Sequence, residues 1–400
     1  MKIIFVSTMC SQKHYEEICK NRKIRMLDSS QKFFDMFVNG FKGRNDVEVV
    51  CVSIPPVSHQ SYPQLYIAKR TEQVDNITYF SVPCVNYIGM KSFFAQYWVR
   101  RYLEKEVRCS KEETIIITDP LLLEGSIPAL EIGKKYRVPV VGFLTDLPQF
   151  ADECDIRSLP KKMLYRLYNR KSQKCLAIFD RYIFLTEAMN TVVNKKHRPW
   201  MLMECLVDPY ETGGVNTCKK YSPPHVMYAG KLHREFGLDI LMAAIPLVKT
   251  ECVFDIYGDG NYLPEIKEMA KKLNNVVVHE IIPVKAVMNE ERKCTLLINP
   301  RPSTGKFTEY SFPSKTAEYM LSGTPVLMFK LPGIPKEYDP YLYYAPLEEP
   351  QSIADAIDKV LCQSERELNN FGKLGKQFIC TRKNNRVQAQ RFLDFMNRKQ

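Results

Sequence analysis

No run of about eighteen apolar residues occurs anywhere in the sequence, so nothing in it reads as a membrane-spanning helix. The opening stretch Met1-Lys2-Ile3-Ile4-Phe5-Val6-Ser7 is too short for the apolar heart of a secretory signal and carries no small-residue cleavage site, which leads us to expect a cytoplasmic protein. Cys-x-x-Cys pairs are missing as well. The thirteen cysteines are odd in number and scattered, a pattern of reduced thiols rather than of a disulfide framework or a zinc site. The six histidines are dispersed, so no metal cluster is visible and no metal ion is expected. There is no Gly-x-Ser-x-Gly and no His-Glu-x-x-His, and the Gly305-Lys306 pair lacks the earlier glycine and following hydroxyl of a phosphate loop. These absences exclude the common hydrolase, metalloprotease and ATPase classes. Zinc-finger spacing, an aromatic RNA-binding signature and a lysine-rich tail are all lacking, so nucleic acid is not an expected partner.

What is present is the composition of an ordinary globular protein: 400 residues, 45% hydrophobic and 26% charged, a length that favours two domains over one. A net charge of +12 favours anionic partners. Short β-branched runs alternate with longer amphipathic stretches, which argues for parallel sheets flanked by helices. The strand candidates are Ile3–Ser7, Val47–Ile54, Ile77–Val82, Thr114–Thr118, Val138–Leu144 and Arg181–Leu185 in the first half. In the second they are Val226–Ala229, Cys252–Tyr257, Val276–His279, Leu296–Asn299 and Pro325–Met328. Between the halves, Val207 to Pro224 is rich in turn formers and has no apolar period. The expected organisation is an α/β chain with Rossmann-like domains over 1–207 and 225–380, a linker over 208–224 and a final helix over 381–400. In that helix Ala389, Phe392, Leu393 and Met396 align on one face that can pack back on the first domain.

Open parallel sheets bind ligands beyond the carboxyl ends of their strands. Three segments of the second half end strands with polar or glycine-rich turns. Val226 to Gly237 contains Gly230, where backbone can approach a ligand, and Lys231, a mobile cation able to neutralise a diphosphate; an ordinary turn with a solvated lysine reads the same way. Asp255-Ile256-Tyr257-Gly258-Asp259-Gly260 supplies two glycines but not the third of a dinucleotide fingerprint, so a tight turn is the competing reading. Asn299-Pro300-Arg301-Pro302 leads into Glu309-Tyr310-Ser311-Phe312-Pro313-Ser314-Lys315 and on to Glu318 and Gly323. Pro313 suits the opening of a helix that Gly323 closes, and the amides at its start suit a pyrophosphate. Glu318, about one turn inside, can accept two hydrogen bonds from vicinal ribose hydroxyls, or can simply favour the positive end of a helix.

In this order and spacing the three segments resemble family four of the glycosyltransferases, which have the GT-B fold: two Rossmann-like domains with parallel sheets facing across a cleft. The block from Phe312-Pro313-Ser314-Lys315 to Gly323-Thr324-Pro325 is similar to the bacterial exopolysaccharide and capsule enzymes of that family, as are Lys330 to Pro335 and Leu185 to Asn190. The resemblance implies sugar transfer with retention of configuration from a nucleotide-sugar, which is a substrate, so no cofactor is expected. It implies that Glu318 holds the ribose and Lys231 the diphosphate. The first of two glutamates spaced by seven falls on Tyr310, with Glu309 beside it as the candidate for donor-sugar contact. Where a second lysine often precedes the glycine matching Gly237, Phe236 stands, and Arg301 or Lys315 is the expected substitute charge. Ile281–Pro283, centred on Ile282, is expected to border the base.

In the first half, Asp146 follows the strand ending Val141-Gly142-Phe143-Leu144 and can orient an acceptor hydroxyl or cap a turn; Asp119 shares that ambiguity. The Thr8 to Ser11 turn lacks the paired glycines of many relatives. Arg157 to Lys174 is basic with no acid, and its apolar residues share a helical face. It suits either packing on the sheet or resting on an anionic leaflet, which would seat the protein at the inner face of the cell membrane beside a lipid-linked or saccharide acceptor. A nucleotide-sugar epimerase and an inactive GT-B glycan-binding or scaffold protein remain alternatives.

Overall fold

The computed structural model describes residues 1–22, 29–87, 89–147, 159–209 and 218–398; the side chains of 29, 30, 159–162, 164, 165 and 306 lie outside the description too. The Arg157 end of the basic stretch, the side chains of Lys161 and Lys162, and 210–217 of the expected linker therefore lie outside the described residues. The chain forms two compact units, Met1–Glu204 with Asn385–Gln400, and Cys205–Asn384.

The first unit contains β1 (Lys2–Ser7), α1 (Gln12–Asn21), α2 (Ser29–Asn39), β2 (Glu48–Ser53), β3 (Tyr66–Ile67), β4 (Arg70–Val74), β5 (Ile77–Ser81), β6 (Cys84–Val85) and α3 (Met90–Cys109). It continues with β7 (Thr114–Thr118), α4 (Leu123–Tyr136), β8 (Val140–Leu144), α5 (Leu159–Leu176), β9 (Arg181–Phe184), α6 (Glu187–Val193) and β10 (Trp200–Leu202). The eight-stranded sheet runs β10-β9-β8-β7-β1-β2-β5-β4, with β4 antiparallel at one edge. Its central strands are buried along their whole length, as continuous apolar runs such as Ile115-Ile116-Ile117 require when helices cover both faces.

The second unit contains β11 (His225–Lys231), α7 (Leu238–Ala244), β12 (Val253–Asp259), α8 (Leu263–Ala270), β13 (Val276–Val278), α9 (Val284–Lys293) and β14 (Leu296–Asn299). It closes with α10 (Ser314–Ser322), β15 (Val326–Phe329), β16 (Tyr343–Ala345), α11 (Pro350–Leu361) and α12 (Glu365–Arg382). Its six-stranded sheet has the order β13-β12-β11-β14-β15-β16, all parallel. The order reverses between β11 and β14, and ligands of such sheets lie beyond the carboxyl ends at that switch point. Residues 218–224 are anchored to this unit rather than strung out from it. Tyr221 N–H donates to Lys293 O, and the Lys220 ammonium donates to Arg292 O, Cys294 O and Thr324 Oγ1 at 2.8–3.0 Å.

The chain then returns to the first unit as α13 (Asn385–Asn397), which packs on α2. Phe392 meets Phe37 and Phe41 edge-to-face with ring centroids 5.5 and 6.3 Å apart, extending an aromatic cluster that includes Phe5 and Phe143.

Candidate active site

Two glycines bring the strand ends of the second unit together. Gly258 has φ 143°, and a Cβ there would lie 1.8 Å from Gly230 O, so the paired ends of β11 and β12 approach as only glycine allows. Gly237 has φ 77°, and a Cβ there would lie 1.9 Å from Pro300 O, so the turn after β11 presses directly on the loop after β14. Lys231 leaves β11 at this point with its side chain exposed and without an ion pair among the described residues. Its carbonyl is fixed by the Tyr228 hydroxyl at 2.8 Å.

Arg301 follows β14. Its guanidinium lies over two rings, 4.6 Å from the centroid of Phe307 and 5.5 Å from that of Phe236, and donates to Ser311 Oγ at 3.1 Å. Phe236, where the resemblance led us to look for a lysine, is thus one face of the seat that holds Arg301. The expected alternative, Lys315, is instead committed to Glu318 Oε2 at 2.7 Å, one turn along α10. Burial works to remove the Lys315 proton, but the attraction and hydrogen bond of Glu318 outweigh it and raise the pKa.

Between these residues the chain makes a short 3-10 turn over Lys306–Glu309 and enters α10 from Pro313. No side chain caps α10, which leaves its first amides without a side-chain acceptor; Gly323, at φ 81°, ends it. Glu309 is exposed and Tyr310 half-buried. The Phe312 ring is 7% exposed and packs 5.4 Å from Tyr338, so position 312 can meet a ligand only through its backbone. Pro313 is likewise buried, whereas Ser314 is exposed. Glu318 keeps 27% of its side chain exposed.

The register of α10 is set by Tyr319, fully buried, whose hydroxyl accepts from Ala229 N–H at 2.8 Å and donates to Ala229 O at 3.0 Å. Asn299 Nδ2 donates to Thr316 Oγ1 at 3.2 Å from the other side. Glu318 and the helix start are therefore pinned to the strand that carries Gly230 and Lys231.

Ile282, half-buried, follows β13 with Ile281 exposed beside it. A linked group not anticipated from the sequence stands nearby: buried Asp255 bonds His225 Nδ1 at 2.5 Å and His279 Nε2 at 2.7 Å, and the His279 ring stacks on Tyr257 at 4.0 Å. Its members are 24 and 30 residues apart, too far for a local pattern to announce them. Among the described residues no three His, Cys, Asp or Glu side chains gather as metal ligands.

Asp146 belongs to the first unit, exposed just beyond β8. Asp119, at the end of neighbouring β7, accepts from Leu121 N–H at 2.9 Å. Burial pushes the Asp119 carboxyl up to about 7, and the charge of Asp146 adds to the effect.

Residues 223–363 match the family profile described as glycosyl transferases group 1. No curated protein matches the chain. Among solved structures it is similar to sucrose-phosphate synthase from Thermosynechococcus elongatus, at 14% identity, TM-score 0.62, and coverage of 99% of this chain and 98% of that one. It is similar to HepE from Anabaena in complex with UDP, at 13% identity, TM-score 0.61 and 99% coverage of each chain. The lipopolysaccharide outer core galactosyltransferase WaaB is similar at 11% identity, TM-score 0.63 and 99% coverage of each. These likenesses span the two units and give the fold as GT-B. The chain is a glycosyltransferase of that fold, and its second unit carries the group 1 glycosyltransferase domain.

Proposed function

We propose that the protein is a retaining enzyme of glycosyltransferase family four that moves a sugar from a nucleotide-sugar to a lipid-linked or growing polysaccharide acceptor, of the exopolysaccharide and capsule type. The observation that carries this reading is the placement of Lys231 at the end of β11 and Arg301 just after β14, the two strands of the switch point, with the turn after β11 pressed on the loop after β14 and α10 locked to β11 through Tyr319. HepE, which shares the fold, holds UDP in one structure and UDP with glucose in another. That supports a nucleoside diphosphate at the corresponding place and a saccharide among the reactants.

In this mechanism Glu318 accepts hydrogen bonds from the ribose hydroxyls, releasing Lys315 toward the phosphates. Lys231, Arg301 and the backbone N–H groups of Ser314 and Lys315 stabilise charge that grows on the diphosphate as its bond to the anomeric carbon breaks. Preorganised cations do this work, so the reaction as proposed needs no metal ion. Glu309 contacts the donor sugar, Ile282 borders the base, and Asp146 in the first unit orients the acceptor hydroxyl. The basic α5 stretch rests on an anionic leaflet, making the protein a peripheral one at the inner face of the cell membrane.

Calorimetric titration with nucleoside diphosphates tests the central assignment. Glu318→Gln should weaken binding by about tenfold, roughly 1.4 kcal/mol. A change of less than about twofold, or no binding by the wild type, removes the assignment.

A further inference from the structure

We propose that the first unit docks on an anionic lipid surface through the outward stripes of both α3 and α5, with the apolar end of each stripe entering the membrane at the carboxyl edge of the sheet. This deepens the membrane-seated part of the reading above, which rested on the charge of one helix.

Helix α3 buries Ala95, Val99 and Leu103, and the opposite stripe, at three- and four-residue steps, is Met90, Phe93, Tyr97, Arg101, Lys105 and Arg108. Its first half is apolar and open to solvent, with Phe93 71% exposed, and its second half is cationic. The acid alongside, Glu104, is neutralised by Lys135 of α4 at 2.6 Å. Helix α5 repeats the design. Ser172 and Cys175 face inward and the exposed Tyr168 is tied down by its hydroxyl, which donates to Leu121 O at 2.8 Å, while the outward stripe reads Met163, Leu167, Arg170 and Lys174. Met163 is 67% exposed.

The two helices lie on either side of α4 and share its direction. The C-terminus of each leads directly into the amino end of its strand, β7 or β9, so their N-terminal halves lie at the carboxyl edge. Both apolar ends therefore fall at one edge and both cationic ends on one flank.

A third apolar element stands at the start of α3. Leu65, Tyr66 and Tyr87 are more than half exposed, yet the backbone that presents them is firmly held. Asn86 N–H donates to Leu65 O at 2.6 Å, Asn86 Nδ2 to Tyr62 O and Gln64 O, and the Lys91 ammonium to Pro55 O at 2.9 Å. A fixed display of large apolar groups edged by cations is the signature of an interfacial surface, with aromatic rings at headgroup depth and Arg and Lys among the phosphates. A second copy of the chain fits this surface less well, since each partner would bring the same cationic stripes on a molecule of net charge +12.

Flotation of the full chain with vesicles of phosphatidylcholine, alone or with about one-third phosphatidylglycerol, tests the proposal. Binding should require the anionic lipid and weaken in high salt. Phe93→Glu with Tyr97→Glu, and separately Arg101→Glu with Lys105→Glu, should each lower it by about tenfold or more. Unchanged thermal unfolding of the variants shows that they are folded; should the first pair unfold the unit, Met163→Glu with Leu167→Glu on α5 replaces it. Equal binding to neutral and anionic vesicles, undiminished binding by folded variants, or a wild-type dimer that the variants dissociate overturns the proposal. Nucleotide titration of the same samples separates the two readings: vesicle binding without nucleoside diphosphate binding sinks the donor site and leaves the docking surface, and the reverse result does the opposite.

Discussion

Arg301 and Phe236 show what a single residue can and cannot disclose. The sequence marked Phe236 as a position where a cation is missing and Arg301 as a candidate to supply it. What it could not reveal is that the first forms part of the seat for the second, because 65 residues separate them and only the fold brings ring and guanidinium to 5.5 Å. The elements that carry Lys231, Glu318 and Gly258 were legible because strand, turn and helix are consecutive there. Asp119 carries a prediction at this scale. Its folded pKa, about 7, lies above the ordinary 3.8, so between those values the folded chain holds a proton that the unfolded chain has lost. Stability should fall as pH rises through that window and level off above it. Asp119→Asn should flatten the dependence; urea midpoints measured from about pH 4 to 8 check this, and parallel curves for the two proteins would refute it.

Among the elements, the central strands announced themselves because burial on both faces demands continuous apolar runs. The edges did not. β4 reads Arg70-Thr71-Glu72-Gln73-Val74, which exposes one face and caps the sheet with polar residues, and β10 and β16 are three residues each, too short for a period. α10 was expected from Pro313 to Gly323, but nothing local indicated that Tyr319, one residue after the glutamate of interest, secures the helix to β11. Tyr319→Phe removes both hydrogen bonds to Ala229 and leaves a buried backbone amide without its acceptor. Unfolding by denaturant should report a loss of about 1–3 kcal/mol. Nucleoside diphosphate affinity should drop alongside, and a neutral substitution would mean that other packing sets the register of α10.

For the whole molecule, length favoured two domains, and the repeated strand-helix pattern carried the α/β fold. The division of the chain was harder to read, since a terminal helix with one apolar face states that it packs somewhere without stating where. α13 packs on α2 and its Phe395 and Met396 carbonyls accept from Arg181 Nη1, at 2.6 and 3.2 Å. Ending the chain at Asn384 should strip a face from the first unit and lower its unfolding transition by several degrees or abolish it, while the second unit keeps nucleoside diphosphate affinity. Calorimetric scans of the shortened protein decide the matter; an unaltered first unit would show that the helix is dispensable.

That same return of the chain sets an order on biosynthesis. The lobe translated first cannot cover Phe37 and Phe41 with Phe392 until α13 has left the ribosome, whereas the uninterrupted stretch Cys205–Asn384 can finish before then.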